Sequence, residues 1–520
     1  MSAATYEVQA PIRFSESLIW QLNRDFYHSQ GIEAWREGRV PHHLSSNAMV
    51  GKTYAALIFA FLKDLAAKGQ STETVYLLEL GAGQGRLAFH ILQHLEQLIQ
   101  EVTLDLPPYC YILSDIVAEN LNFFQEHPQF ETYFEQGKLD VAFFNGLTSN
   151  SIQLRKQKIE LSADSLKQPL IAVANYFFDS IPSDLFHFEG KKIESCQVGL
   201  HSTENPNEMD EETLLKNLEL SFHTTPLQAP FYQNEILNEL LEDYRGVLFN
   251  SFLFFPQQGI KCLFNLQQLS KKGLILLSMD KGFHEMHDLE NSKEPEMITH
   301  GSMSFWVNYH TLGAYCQKTG GAALFPSFSN FHMDLACLLF LPEHESYEEV
   351  KSAYRQFVDD FGPDDFNSFK RFTYKHIAQM GLLELLGMIR LFSYDSAFFI
   401  NILPRLRQVT TRISFNERRR LGQVLRKIWA MNFTLNESYD LAFELGGLFY
   451  DLGYYQDALD HYAFSTAQYG QKPDIYYNIG LCYYQLREDV LFIENLKVAK
   501  QAFPDYERFA HLDRLDLEAK

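Results

Sequence analysis

Cysteine is sparse and scattered in this sequence. The six thiols, Cys110, Cys196, Cys262, Cys316, Cys337 and Cys482, show no CxxC spacing, which excludes a dense disulfide frame or zinc ribbon and suits buried, reduced thiols. Long apolar runs are also missing. None approaches the roughly 18 residues of a membrane span, so a soluble chain is expected. The opening MSAATYEVQAPIRF has no basic segment followed by an apolar one, and a cytoplasmic protein is therefore expected. Positive charge is in deficit: 44 Lys and Arg against 66 Asp and Glu give a formal charge of -22, which opposes the general phosphate attraction of nucleic-acid binders. The run NERRRLGQVLRKIW concentrates Arg418, Arg419, Arg420, Arg426 and Lys427 on a helix, and such runs are usually solvated faces. No metal site is expected. HEMH, His284 to His287, places its second histidine at i+3 instead of the i+4 of HExxH, and His42 and His43 have no partner at ligand spacing.

What the chain does have is size and pattern. Its 520 residues, 46% of them hydrophobic, can bury a large core and predict two or three domains. Up to about residue 345, the runs VYLLEL, CYILSD, LDVAFF, LIAVAN, GLILLSMD and MDLACLLFL alternate with helical periods. That alternation predicts a parallel-rich sheet with covering helices. Beyond it the period is helical throughout, so residues 1–345 and 346–520 are expected as an α/β domain and an all-α domain. Gly446 and Gly480 lie 34 residues apart in similar contexts, LGGLFYDLGYYQDALDHY and IGLCYYQLREDVLFIENL. This period, over about 439–506, suggests tetratricopeptide-like repeats and a protein partner held by them.

The first strand run ends in Glu79 and leads into Gly81, Ala82, Gly83 and Gly85. A dinucleotide turn, GxGxxG, would need a third glycine where Arg86 stands. Glycines here allow positive φ and close approach of a ligand to the backbone, and the next helix offers N–H groups; a simple tight turn is the alternative. The segment LELGAGQGRL resembles motif I of class I S-adenosylmethionine methyltransferases. That resemblance implies a Rossmann-like domain with S-adenosyl-L-methionine as cofactor, bound by Glu79, Gly81, Ala82, Gly83 and Gly85. A second acid ending the next strand, Asp115, would accept the ribose hydroxyls or cap the following helix. Asn145 ends the third run and would face the adenine, or mark an Asn-Gly turn.

The fourth run continues as ANYFFDSIPSDLFHF. Ala174, Asn175, Phe177, Phe178, Asp179 and Pro182 resemble the ANEFFDALP segment of the MidA family of methyltransferases, which includes a mitochondrial assembly factor for respiratory complex I. LILLSMDKGF, with Asp280 and Gly282, and SFWVNYHTLGAYCQKTGG are similar to later segments of that family. The resemblance covers about residues 45–340 in fragments, with a substrate-side insertion at about 183–256. It implies methyl transfer to protein, with Asn175 touching cofactor and acceptor, and Tyr176 and Asp179 as further catalytic candidates. Asp179 could instead end a turn. Two positions depart from the family: Tyr176 stands where it has glutamate, and Lys281 stands where it has tyrosine. A methyltransferase acting on RNA or a small molecule, or a non-catalytic scaffold, are the alternative functions.

Overall fold

The computed structural model describes residues 6–36, 39–40, 46–163, 165–328 and 333–512; His42 and His43 lie outside them. The chain divides into two compact units, Met1–Ser368 and Phe369–Lys520.

All six apolar runs form strands of one sheet. They are β1 (Val75–Glu79), β2 (Tyr109–Asp115), β3 (Leu139–Phe143), β4 (Leu170–Asn175), β5 (Leu274–Phe283) and β7 (Met333–Phe340), joined by a short β6 (Ala322–Leu324). The order across the sheet is β6–β7–β5–β4–β1–β2–β3. Strands β1 to β5 are parallel, with Leu77 between Ile171 and Tyr111, and β7 runs antiparallel to β5. Residues 170–174 of β4 are buried without interruption, as expected for a strand covered on both faces, and for that reason these strands read as apolar runs without alternation. The helices α1 (Leu18–Gln30), α2 (Ala48–Ala67), α3 (Arg86–Gln100) and α4 (Ala118–Glu126) belong to the same unit. Leu87, Ile91 and Leu95 of α3 form a buried apolar stripe, with Leu98 half-buried at its end.

The expected insertion forms a second, antiparallel sheet from Asp184–Glu189, Lys192–Ser202, Leu218–Pro226 and Ser251–Phe255. Its fifth strand comes from the chain's beginning. Tyr6–Arg13 pairs with Lys192–Ser202, Tyr6 opposite Ser202 and Arg13 opposite Gln197. Buried Asp184 fixes this junction by accepting from Arg13 Nε (2.7 Å), Ser15 Oγ (2.6 Å) and Tyr232 Oη (2.6 Å). All six cysteines are free and buried.

The strand pattern stops with β7, yet the first unit runs on to Ser368. Helix α5 (Glu348–Tyr354) stays with it because Asp64, on α2, accepts from the N–H groups of Glu349 (3.2 Å) and Val350 (3.1 Å), and the Tyr354 hydroxyl donates to Leu335 O (2.5 Å). The second unit is all-α in its described residues. Its helices α6 (Leu382–Leu391), α7 (Ser396–Val409) and α8 (Phe415–Ala430) precede two helix pairs, α9 (Leu441–Asp451) with α10 (Tyr455–Tyr469) and α11 (Pro473–Leu486) with α12 (Asp489–Ala502). Gly446 lets α10 approach: a Cβ there would lie 2.6 Å from the Tyr462 ring. Among the described residues no helix is long and apolar enough to cross a membrane.

Truncation separates the end of the strand pattern from the end of the compact unit. A fragment ending at Ser368 should unfold cooperatively, whereas one ending at Glu345 loses the capped helix and should melt several degrees lower, about 2–4 °C for each kcal/mol lost. Equal melting temperatures by circular dichroism would contradict the role given to Asp64.

Candidate active site

Strand order reverses between β1 and β4, which places a crevice beyond their carboxyl ends. A cavity of about 210 Å³ occupies that place. One wall is the turn after β1. Gly81, Gly83 and Gly85 all have positive φ, at 60°, 58° and 76°. Gly85 caps α3 and is packed beneath by Phe124 and Phe130, so it shapes the turn without lining the cavity. Gly83 does line it, and a Cβ there would lie 2.7 Å from the Trp35 ring.

Asp115 ends β2 and holds the turn in place. Its carboxylate accepts from Gly83 N–H (3.0 Å), Val117 N–H (2.9 Å) and the Asn120 amide (3.2 Å). It thus caps the following turn and lines the cavity as well. Burial raises its pKa, and these three donors pull it back down. Glu79 ends β1 at 3% exposure and accepts from the Tyr111 hydroxyl (3.0 Å). Burial pushes its pKa up to about 8, so in the free protein its carboxyl is largely protonated at neutral pH.

Asn145 lies in the loop after β3, where its side-chain oxygen accepts from Leu147 N–H (3.0 Å) while the residue lines the cavity. The Asn-Gly turn and the cavity wall are one feature. Asn175, at the end of β4, also lines it, and its side-chain oxygen accepts from the buried Tyr54 hydroxyl. That oxygen is engaged from behind by α2. Tyr176 follows with φ 48°, a left-handed conformation costing a non-glycine residue about 1–3 kcal/mol, and it turns into the cavity beside Phe177, Ser180, Ile181 and Pro182.

Asp179 is not among the residues that line this cavity. It lies in a 3₁₀ turn, Phe178–Ser180, at 5% exposure, accepts from the Ser180 hydroxyl (2.8 Å), and borders a small separate void with Trp20 and Phe305. Burial raises its pKa. Fully buried Asp280 accepts from Phe178 N–H (3.2 Å), and its pKa is raised by burial and then by the charge of Asp179. The two carboxyls underpin the turn after β4 from the side away from the cavity.

The structure therefore brings Glu79, Gly81, Ala82, Gly83, Asp115, Asn145, Asn175 and Tyr176 to one cavity and leaves Gly85 and Asp179 behind its walls. It adds residues with no local signal in the sequence. Asn23, Arg24 and Tyr27 from α1 and Trp35 from the short helix Glu33–Arg36 join the lining, as do Asn120 and, inside the glycine motif itself, Gln84. Tyr27 and Trp35 stack, with ring centroids 5.9 Å apart. His284 to His287 lie outside the lining; His287 is 71% exposed beside Glu285 and Asp288.

A cleft at a switch point, with a glycine turn and two strand-end acids, defines a Rossmann-like cofactor-binding domain. Residues 56–292 match the model of a family described as "Putative S-adenosyl-L-methionine-dependent methyltransferase". Over this segment the chain is an S-adenosylmethionine-dependent methyltransferase. No curated protein matches the chain. Among solved structures, it is similar to a Burkholderia thailandensis superfamily protein with S-adenosyl-homocysteine bound (16% identity, 61% of this chain and 74% of that one, TM-score 0.37). A native structure of an uncharacterized superfamily protein from the same organism gives 15% identity, 61% and 73% coverage and a TM-score of 0.36. At those scores the two likenesses carry no part of the identification.

The residues present fit the cofactor. At Gly81 a Cβ would meet only the Phe177 ring, at 3.6 Å, leaving room for close approach of a ligand. Among the described residues Gln84 Oε1 and Asn120 Oδ1 are buried without a hydrogen-bond partner, and Glu79 and Asp115, the acids of the described lining, which also holds Arg24, suit a hydroxyl-bearing molecule that carries positive charge. Gly83→Val should abolish S-adenosylmethionine binding in calorimetry. Asp115→Ala should weaken it about tenfold or more, since it removes charge-assisted hydrogen bonds and unties Gly83. Wild-type affinity in both variants would overturn this placement. Because a cation favours ionised Glu79, affinity should rise as pH rises through about 8, and Glu79→Gln should flatten that rise.

Proposed function

We propose that this enzyme methylates a protein substrate, with Glu79, Gly81, Ala82, Gly83, Asp115 and Asn145 holding the cofactor and the segment from Asn175 to Pro182 forming the acceptor side. The observation that supports this reading is a single cavity bounded by both groups, with Tyr176 held at φ 48° between them. When bound, S-adenosylmethionine supplies a methyl group on a positively charged sulfonium.

The chain's own residues do the positioning, which for such a transfer is most of the catalysis. Tyr27, Trp35, Tyr176 and Phe177 narrow the cavity, and Asn175 and Ser180 are the amide and hydroxyl residues of the acceptor segment in its lining, while the Tyr176 hydroxyl lies 4.0 Å from Met333 Sδ. With Asp179 behind the wall, the lining from Asn175 to Pro182 contains no carboxylate. An acceptor entering there arrives uncharged or gives its proton to solvent. Asp179 then acts, with Asp280, by fixing the turn that carries Phe177 and Ser180. The likeness of Ala174 to Pro182 to the MidA family favours a protein acceptor, and the paired helices α9 to α12, read as tetratricopeptide-like repeats, would recruit it.

Tritiated methyl groups from labelled cofactor should enter the protein fraction of a lysate and not the nucleic-acid or small-molecule fractions; label confined to either of the latter two contradicts the reading. Tyr176→Gly suits the left-handed backbone, so it should fold as the parent does, within about 1 kcal/mol. It should lower kcat about tenfold or more while changing cofactor affinity by less than about threefold, the pattern of a residue serving transfer.

A further inference from the structure

Helices α6 and α8 of the second unit enclose a groove of about 630 Å³, within the size range of roughly 300–1,000 Å³ found for ligand clefts. Its floor is aliphatic. Leu386 and Val424 are buried there, and Leu383 remains 59% exposed on it. Its rim is cationic: Arg390 comes from α6, and Arg420, Arg426 and Lys427 come from α8, with no acidic side chain in the lining. Arg418 and Arg419 are not part of it. The arginine-rich run, expected as a solvated face, thus turns three of its cations onto one concavity and adds a fourth from the neighbouring helix.

Arg426 is already matched, since Asp457 accepts from its Nε (2.7 Å) and Nη2 (2.8 Å). Lys427 lies 5.1 Å from the centroid of the Tyr394 ring. Arg390 and Arg420 form no ion pair among the described residues. A cleft lined by one sign of charge focuses its field, so it draws the opposite sign even on a chain of net charge -22. The apolar part of that occupant must be aliphatic in shape. The groove offers nucleic acid no open aromatic platform for its bases, because Tyr394, the aromatic residue of the described lining, is covered by Lys427.

We propose that this groove binds an acidic peptide segment, its carboxylates on Arg390 and Arg420 and an aliphatic side chain on Leu383 and Val424. The inference does not depend on the identity of the methyl acceptor. The probe is a fluorescein-labelled peptide, Glu-Glu-Leu-Glu-Glu-Leu, followed by anisotropy with the full chain, beside a counterpart with glutamine for glutamate and an oligothymidine competitor. The acidic peptide should bind, the glutamine peptide should not, and Arg390→Glu with Arg420→Glu should weaken binding about tenfold or more. Leu383→Asp should weaken it as well. S-adenosylmethionine affinity, which reads the other unit, should stay unchanged in these variants, and circular dichroism should show the helices intact. Failure of the acidic peptide to bind, equal binding of the glutamine peptide, undiminished binding in the charge-reversed variant, or displacement by oligothymidine would overturn the proposal, the last pointing to nucleic acid instead.

Discussion

Between β1 and β4 two neighbouring parallel strands send their chains to opposite sides of the sheet, and the cavity follows from that divergence. Nothing closes the gap at their ends except what the next residues build there. After β1 that is a turn with three positive-φ glycines; after β4 it is a turn that begins with a left-handed tyrosine. Asp115, one strand over, ties the first turn through Gly83, and Asp280, on the strand beyond β4, ties the second through Phe178. Each side of the gap is thus braced by a carboxyl from the adjoining strand.

Those braces place several acids where water is scarce. Glu79, Asp115, Asp179 and Asp280 are all nearly or wholly buried, and burial raises the pKa of each. They differ in what offsets the cost. Asp115 has three donors and needs no proton to be satisfied. Glu79 has a tyrosine hydroxyl, so its ionisation is open to influence from whatever enters the cavity. Asp179 and Asp280 lie behind the wall and act on the turn between them. Four carboxyls within one neighbourhood therefore divide into a clasp, a responsive group and a paired support.

The sheet was legible because its strands are buried on both faces and must be apolar throughout. Glu79, Gly83 and Asp115 were legible because each stands where a strand becomes a turn, and local pattern marks such places. Asp179 is different. It lies in the 3₁₀ turn Phe178–Ser180 and borders a small separate void instead of lining the cavity, and the letters of a motif do not carry direction. Tyr27, Trp35 and Tyr54 reach the site through helix packing across large sequence separations, so no nearby residue announces them. The strand Tyr6–Arg13 was likewise unreadable, being polar, interrupted by Pro11, and partly exposed along its length. The basic run on α8 was visible, but its convergence with Arg390 belongs to tertiary structure alone.

That first strand also sets a clock. Its pairing partner ends at Ser202, so during synthesis, at roughly 5–20 residues per second, it waits on the order of tens of seconds for its neighbour. An unpaired strand in that interval is open to the wrong companions. Glu7 and Pro11 suit the delay, one by charge and the other by lacking an N–H to offer. Helix α1, which carries Asn23 and Tyr27 to the cavity, follows directly behind this strand. The wall of the active site that α1 carries thus waits for a strand made after the glycine turn and Asp115.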